Sequence, residues 1–446
     1  MGADLISIAN SGARAAKVAL DVTANNIANA SSEGYVRRTV SLAELSSNTI
    51  AAAPTAINLA GVRVAGVVRN ADAFRQAEVR RTGADAARAA AEVQGLENIE
   101  AAVEQTGVYD SIINFEAGLQ QLLSDPTDGS LRAAVVEQGR TLAETFNVAA
   151  SSLDAVGEGL RFEAQDGIDN VNRIAGELAR VNLRLSRASD KSSDQTALFD
   201  QRDALLQDLS DQVGIHTSFD GDTGMVTVRI GNSSGPDLVV GGASGTLAMT
   251  AATDGTVSFA LDGNPVTVSS GAIAGKAQAL LELADTRGQL DGIALSLINT
   301  INAAQANGVD LDGNAGQPLF AGSDAASMTM VAASGRAIAT ASAGSPAGSR
   351  DVGNLNAMRS ALSAADPAGE MDTLLFGISS AVAGRTVTRD ALDSIAGTAK
   401  IALQAQAGVD LDNEAMNLVR FQQAFQANGR VMQVAADIFD SILSIR

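Results

Sequence analysis

The chain has 446 residues, 46% of them hydrophobic, a formal charge of −20 at neutral pH, and neither cysteine nor tryptophan. That length has room for two to four domains, while the charge speaks against nucleic acid and anionic membrane as partners. The missing thiols remove disulfides and thiolate metal sites, aromatics at 3% are too few for stacking platforms, and no run of about 18 uncharged apolar residues offers a membrane span.

In chain order, the first expected element is a helix over residues 2–29, with Leu5, Ile8, Gly12, Ala15, Ala19 and Val22 at spacings of three and four. Most of that face is small, so a second helix can approach closely. Asp4 precedes the first base, Arg14, the reverse of the basic start of a cleaved leader. The helix runs into Asn25-Asn26-Ile27-Ala28-Asn29, then a turn holding Gly34-Tyr35. Residues 39–68, rich in Ser, Ala and Thr, read as a connector with β-prone pieces. Helical periodicity follows through Val93, Leu96, Ile99 and Val103, and after Gly107 through Ile112, Phe115, Leu119 and Leu122. The run Ser124-Asp125-Pro126-Thr127-Asp128-Gly129 breaks it. A second long helical region covers 130–188, and a shorter helix covers 194–213 with Leu198, Leu205, Leu206 and Leu209. Such stripes are hidden most simply in a bundle.

The period changes to two at Met225. Val226, Val228 and Ile230 alternate with polar residues, and further strands are expected at 238–240, 256–261 and 266–268. Asp-Gly pairs at 220–221, 254–255 and 262–263 supply hairpin turns. Helical spacing returns over 277–304, a Gly/Ala/Ser-rich stretch spans 307–349, and helices follow near 354–362 and 371–404. In the last stretch Leu411, Leu418, Phe425, Met432 and Phe439 recur every seven residues, with Phe421, Asn428, Ala435 and Ile442 three further on. Asp410 or Asp412 caps that helix, which at 1.5 Å per residue is about 50 Å long. A small domain cannot cover it, so its apolar stripe needs a partner elsewhere, and the small-faced first helix is the candidate.

The expected fold is therefore mainly α with a smaller β part. Residues 1–35 and 408–446 form terminal helices pairing as a coiled-coil-like unit. Residues 36–212 and 271–407 form a helical bundle with connectors, 213–270 a small antiparallel β unit, and 321–350 a short outer insertion. Terminal helices with long stripes and little cover are expected to order on packing against neighbours. Head-to-tail contact of identical subunits then gives a ring or a helical array.

No stretch supports catalysis. Gly231-Asn232-Ser233-Ser234-Gly235 fits a nucleophile-elbow pattern, but more strand follows it and the only histidine, His216, precedes it, so it reads as a hairpin loop. Asp310, Asp312 and Asn314 lack the glycine and glutamate positions of a calcium loop and read as a turn held by Asx side chains. Residues 271–276 lack the glycine spacing of a phosphate loop. Arg202 has Leu198 and Leu206 four residues to either side, and Asp203 points away on a helix surface, so its expected partner is an acid on a neighbouring helix. Catalytic, cofactor and metal sites are all expected to be absent.

Asn25-Asn26-Ile27-Ala28-Asn29, then Gly34-Tyr35 with Arg37 and Arg38 after it, resembles the N-terminal signature of the bacterial flagellar rod, hook and hook-associated proteins. Residues 418–439 resemble the matching C-terminal signature, and the pair is more specific than either alone. Residues 110–147, 198–205 with Asp200, Gln201, Arg202 and Asp203, 301–320 and 350–357 resemble the helical middle of the hook–filament junction members. Rod and hook proteins share the ends but not this middle. The resemblance implies a non-enzymatic structural protein without cofactor, assembling as a ring at the junction of hook and filament. Its assembly interface would be Leu5, Ile8, Gly12, Ala19, Ile27, Leu411, Leu418, Phe421, Phe425, Met432, Phe439 and Ile442. It further implies export through the flagellar type III apparatus without a cleaved signal, an export chaperone on the C-terminal helix, the hook protein below and a second junction protein above. Many members carry a large β domain where this chain has only 321–350. Another axial component, such as hook or distal rod protein, is the nearest alternative; a flagellum-associated wall hydrolase lacks its constellation of residues.

Overall fold

The computed structural model describes residues 2–32, 34–46, 59–189 and 192–444. In order they form α1 (Gly2–Ala28), β1 (Arg38–Ser46), β2 (Leu59–Arg69), α2 (Ala73–Glu104), α3 (Val108–Leu122), α4 (Gly129–Leu185) and α5 (Ser193–Gln212). Seven short strands follow: β3 (Ile215–Phe219), β4 (Val226–Ile230), β5 (Asp237–Val240), β6 (Ala243–Ser244), β7 (Leu247–Ala251), β8 (Val257–Leu261) and β9 (Asn264–Val266). Then come α6 (Ala272–Ala306), the two-residue strands β10 (Gly308–Val309), β11 (Phe320–Ala321), β12 (Thr329–Met330) and β13 (Ala341–Ser342), and α7 (Gly353–Ala365), α8 (Pro367–Ala407) and α9 (Leu411–Ser444). The fold is mainly helical with small antiparallel sheets, and its two terminal helices touch. Among the described residues no helix is long and apolar enough to cross a membrane.

Contacts divide the chain into two compact units, one of Met1–Asp85, Asn170–Leu247 and Asp393–Arg446, the other of Ala86–Asp169 and Ala248–Leu392. In the first, α1 lies against α9 and against the antiparallel β1–β2 hairpin, whose register runs from Arg38↔Arg69 to Ser46↔Leu59. Residues 39–68 are thus more than a connector; 47–58, between the strands, lie outside the described residues. The weak alternation of β1 and β2 follows from what these two strands cover: an alanine helix accepts small side chains. Gly61 shows how close the approach is. A Cβ there would fall 2.3 Å from Ser11 Oγ, and that hydroxyl accepts a hydrogen bond from Val62 N–H at 3.1 Å. Ala9, Ala13, Ala15, Ala16 and Ala19 are all buried, so α1 is covered within its own chain, contrary to the expectation of little tertiary cover.

Strands β3 to β9 make two sheets, β3–β4–β5–β6 and β7–β8–β9, and the two-residue strands pair as β10–β13 and β11–β12. Alternation marks which residues are strands but carries no record of which strands pair. In the first unit, Asn182 of α4 is fully buried and clamps the sheet through Val226 N–H, Val226 C=O (2.8 Å) and Gly241 C=O (2.8 Å).

The second unit has the larger apolar core. Phe115, Phe146, Leu142, Leu297, Ile301, Phe320, Leu355 and Met371 meet there, with Phe115 and Phe320 edge to face at 5.6 Å. The Gly/Ala/Ser-rich stretch belongs to this core. Ala325, Met328, Ile338 and Ala339 are buried, and the buried Arg132 holds their loops by donating to Gly335 C=O (2.9 Å), Ile338 C=O (2.9 Å) and Thr340 Oγ1 (2.7 Å). Residues 321–350, expected as an outer insertion, pack on the bundle because a guanidinium with five donors satisfies loop carbonyls that would otherwise need water.

Candidate assembly interface

α1 and α9 run antiparallel. Asn26 meets Glu414 at one end, Gly12 lies opposite Asn428 in the middle, and Leu5 lies by Val431, Val434 and Ala435 at the other. Gly12 permits the approach: a Cβ on it would come within 2.5 Å of Asn428 Oδ1. Asp410 is the cap, its carboxylate accepting from Asp412 and Asn413 N–H at 3.0 and 3.2 Å.

On α9, Glu414 and Ala435 are buried and Leu418, Phe421, Asn428 and Met432 half-buried, while Ala19 and half-buried Ile27 lie on α1. The rest of the expected row is not used up within the chain. Leu411, Phe425 and Phe439 are 53, 44 and 51% exposed, and Leu5 and Ile8 are also exposed. The side chain of Ile442 lies outside the described ones. Met416, Val419, Val431, Val434 and Ile438 of α9 are exposed as well, and an apolar cavity of about 300 Å³ opens between Leu5 and Val431, Val434, Ala435 and Ile438. A helix with one partner needs one narrow apolar stripe; α9 has apolar residues on further sides.

The signature residues form the base of this pair. Asn26 Oδ1 accepts from Arg38 N–H and Tyr35 O–H, both at 3.0 Å, while its Nδ2 donates to Arg38 C=O (2.8 Å) and Glu414 Oε2 (3.2 Å). Gly34, at φ 76°, makes the preceding turn. Glu414, only 1% exposed, takes an ion pair from Arg37 Nε at 2.6 Å. Asn25 and Asn29 are outside this network, each donating to a backbone C=O one turn back, and Ala28 is exposed. The second signature meets the same place from α5. Asp200 pairs with Arg38 and Arg69 (2.9 Å), and Asp203 with Arg69 (2.8 Å) and Arg202 (2.7 Å). Burial pushes the Asp203 carboxyl up, but Arg202 and Arg69 outweigh it and hold it below the usual carboxylate range. Gln201 only accepts from Arg184 (2.8 Å).

The expected partner of Arg202 needs correction. It pairs with adjacent Asp203, not with an acid on a neighbouring helix, because its guanidinium is drawn back between the rings of Phe199 and Phe219, 4.9 and 4.4 Å away. The pair is largely buried. Sequence reasoning also passed over Arg69 and Glu414. Glu414 had a visible mark: it lies seven residues before Phe421, in the row of Asn428 and Ala435, as its one charge.

The remaining motifs lie elsewhere. Residues 231–235 are the β4–β5 loop and His216 is the second residue of β3. Asp310 Oδ1 accepts from the N–H of Asp312 (2.9 Å) and Asn314 (2.8 Å), an Asx-held turn. No group of three potential metal ligands occurs among the described residues.

Matches at both ends and in the helical middle place the chain in the class of flagellar axial structural proteins. Its ends match two family models of that class, "Flagella basal body rod protein" at 6–35 and "Flagellar basal body rod FlgEFG protein C-terminal" at 404–445. Over residues 93–320, just over half its length, it matches "Flagellar hook-associated protein FlgK helical domain", and the chain belongs to that family. It is 25% identical to flagellar hook-associated protein 1 of Bacillus subtilis, with 96% of each chain covered. To the same-named protein of Salmonella typhimurium it is 29% identical over 71% of its own length and 59% of the relative's. The solved flagellar hook junction protein FlgK from Burkholderia pseudomallei shares the fold over 55% of this chain and 46% of that one, at a TM-score of 0.50 and 24% identity. The chain is thus a structural component of the hook–filament junction of the flagellum, in its extracellular axial part, and not an enzyme.

Proposed function

We propose that copies of the chain close a ring at the hook–filament junction by packing the uncovered rows of α9 against neighbouring copies. The observation that carries this is the split of one heptad row. Leu418 and Met432 of that row are at least half covered within the chain, as is Phe421 of the companion row, while Leu411, Phe425 and Phe439 are left exposed. Water-exposed apolar rows along one helix gain from a helical partner, at roughly 25 cal/mol per Å² covered. In this reading residues 1–35 and 408–446 line the tube. The hook protein and a second junction protein are its axial neighbours, and before assembly a chaperone of the type III export apparatus covers α9. The test is Phe425→Asp, which brings a carboxylate into a dry seam. The expected result is a normally folded chain that leaves no ring on isolated hook ends by electron microscopy. Wild-type rings, or labelled protein found along the hook or rod instead, would overturn the reading.

A further inference from the structure

The second compact unit holds a cleft of about 490 Å³ that ring closure through α9 does not use. Leu153 and Leu283 give it apolar surface, and Arg161, Arg287 and three aspartates give it charge. Arg287 is paired with Asp154 and Asp291, and Asp254 is hydrogen-bonded within its own loop. Arg287 donates to Asp154 at 2.6 Å and to Asp291 at 3.2 Å, and Asp291 also accepts from Ala325 N–H. Asp254 accepts from the N–H and hydroxyl of Thr256 at 2.9 and 2.6 Å. Arg161 is the exception: half-buried, with no hydrogen bond or ion pair to any described residue. Two glycines from separate elements let its guanidinium pack close against their backbone. A Cβ on Gly157 of α4, or on Gly255 of the β7–β8 loop, would come to 3.1 Å from Arg161 Nη1.

We propose that Arg161 receives a carboxylate entering this cleft, presented by an acidic side chain of a second copy of the chain. A partly desolvated guanidinium loses hydration that only an anion returns well, and its planar fork matches a carboxylate two-pronged. The source follows from charge. With 51 acidic and 31 basic residues, copies placed side by side show one another mostly carboxylates. A recessed cation without an internal partner is where such a contact becomes attractive. That source rests on the ring reading above; a free dicarboxylate would supply the same chemistry, and the experiment separates the two.

The chain has no cysteine, so Thr253→Cys on the cleft rim carries a single maleimide-linked photoprobe in the full-length protein. In rings on isolated hook ends, the probe is expected to cross-link to an Asp- or Glu-bearing peptide of a second copy. Arg161→Glu should lower that yield about tenfold and Arg161→Lys less, as for loss of a charge pair at an interface. Succinate is then titrated into the monomer while arginine side-chain NMR signals are followed. Millimolar binding that Arg161→Glu removes, with the cross-link unchanged, overturns the second-copy source in favour of a free carboxylate. An unchanged cross-link and no succinate response overturn the site itself. Rings abolished by Phe425→Asp but indifferent to Arg161→Glu would sink this inference and leave ring closure standing.

Discussion

Asn26 uses both ends of its amide on four partners, so no other side chain of its size replaces it. Asn26→Leu leaves the Arg38 N–H and Tyr35 hydroxyl without their acceptor in a part-buried place, at a cost of about 1–3 kcal/mol per group. It is expected to lower the denaturant midpoint of the terminal helices, read by hydrogen exchange on α1. Glu414→Gln keeps the shape and removes the charge facing Arg37. Arg37, left facing a neutral amide, is itself 27% exposed, so the expected loss is about 1–3 kcal/mol in the same measurement. Asp351 illustrates the pH side. The Ser342 hydroxyl and N–H, with the N–H of Gly353, hold its carboxyl down at about 2, against an ordinary 3.8. A depressed carboxyl stabilises the fold fully above its unfolded pKa and ceases to do so as pH falls through the folded one. Unfolding followed from pH 4 down to pH 2 should therefore depend less steeply on pH in Asp351→Asn than in the wild-type chain.

Between elements, closeness is set by what is missing from a side chain. α6 presents Gly275 to α2 so closely that a Cβ would fall 2.1 Å from Arg88 C=O and 2.9 Å from Ala91 Cβ. Because the first of these is backbone, the helices must part to admit a methyl group. Gly275→Ala is expected to cost about 1–3 kcal/mol, seen as a lower melting temperature with the helical circular dichroism retained. Gly61 on the hairpin obeys the same rule and adds φ 103°, a conformation L side chains avoid. The hairpin and the helix it covers are thus matched by smallness, and that kind of match leaves little mark in a hydrophobic pattern.

For the molecule as a whole, the same heptad row serves two purposes, and substitutions should tell them apart. Leu418 is half-covered in the α1–α9 pair, Phe425 exposed beside it. Leu418→Asp is expected to loosen the terminal pair in the free monomer by about 2–4 kcal/mol, read as early proteolysis of α1 and α9. Phe425→Asp should leave the monomer within about 0.5 kcal/mol of wild type, as surface changes do, and yet abolish the ring. Equal effects of the two on the monomer would mean that both face the same partner.

Much of this was legible along the chain because its physics is local. A helix repeats every 3.6 residues and a strand every two, so the helices, the β-rich stretch, the Asp410 cap and the heptad row of α9 could all be read there, as could the paired terminal signatures. Periodicity records that a side chain is covered, though, and not by what. Only the tertiary structure decided that β1 and β2 lie on α1, that Asn26 reaches Glu414 across 388 residues, and that Arg69 joins Asp200 to Asp203. Those contacts depend on distances between segments far apart in sequence, and no spacing within either segment encodes them.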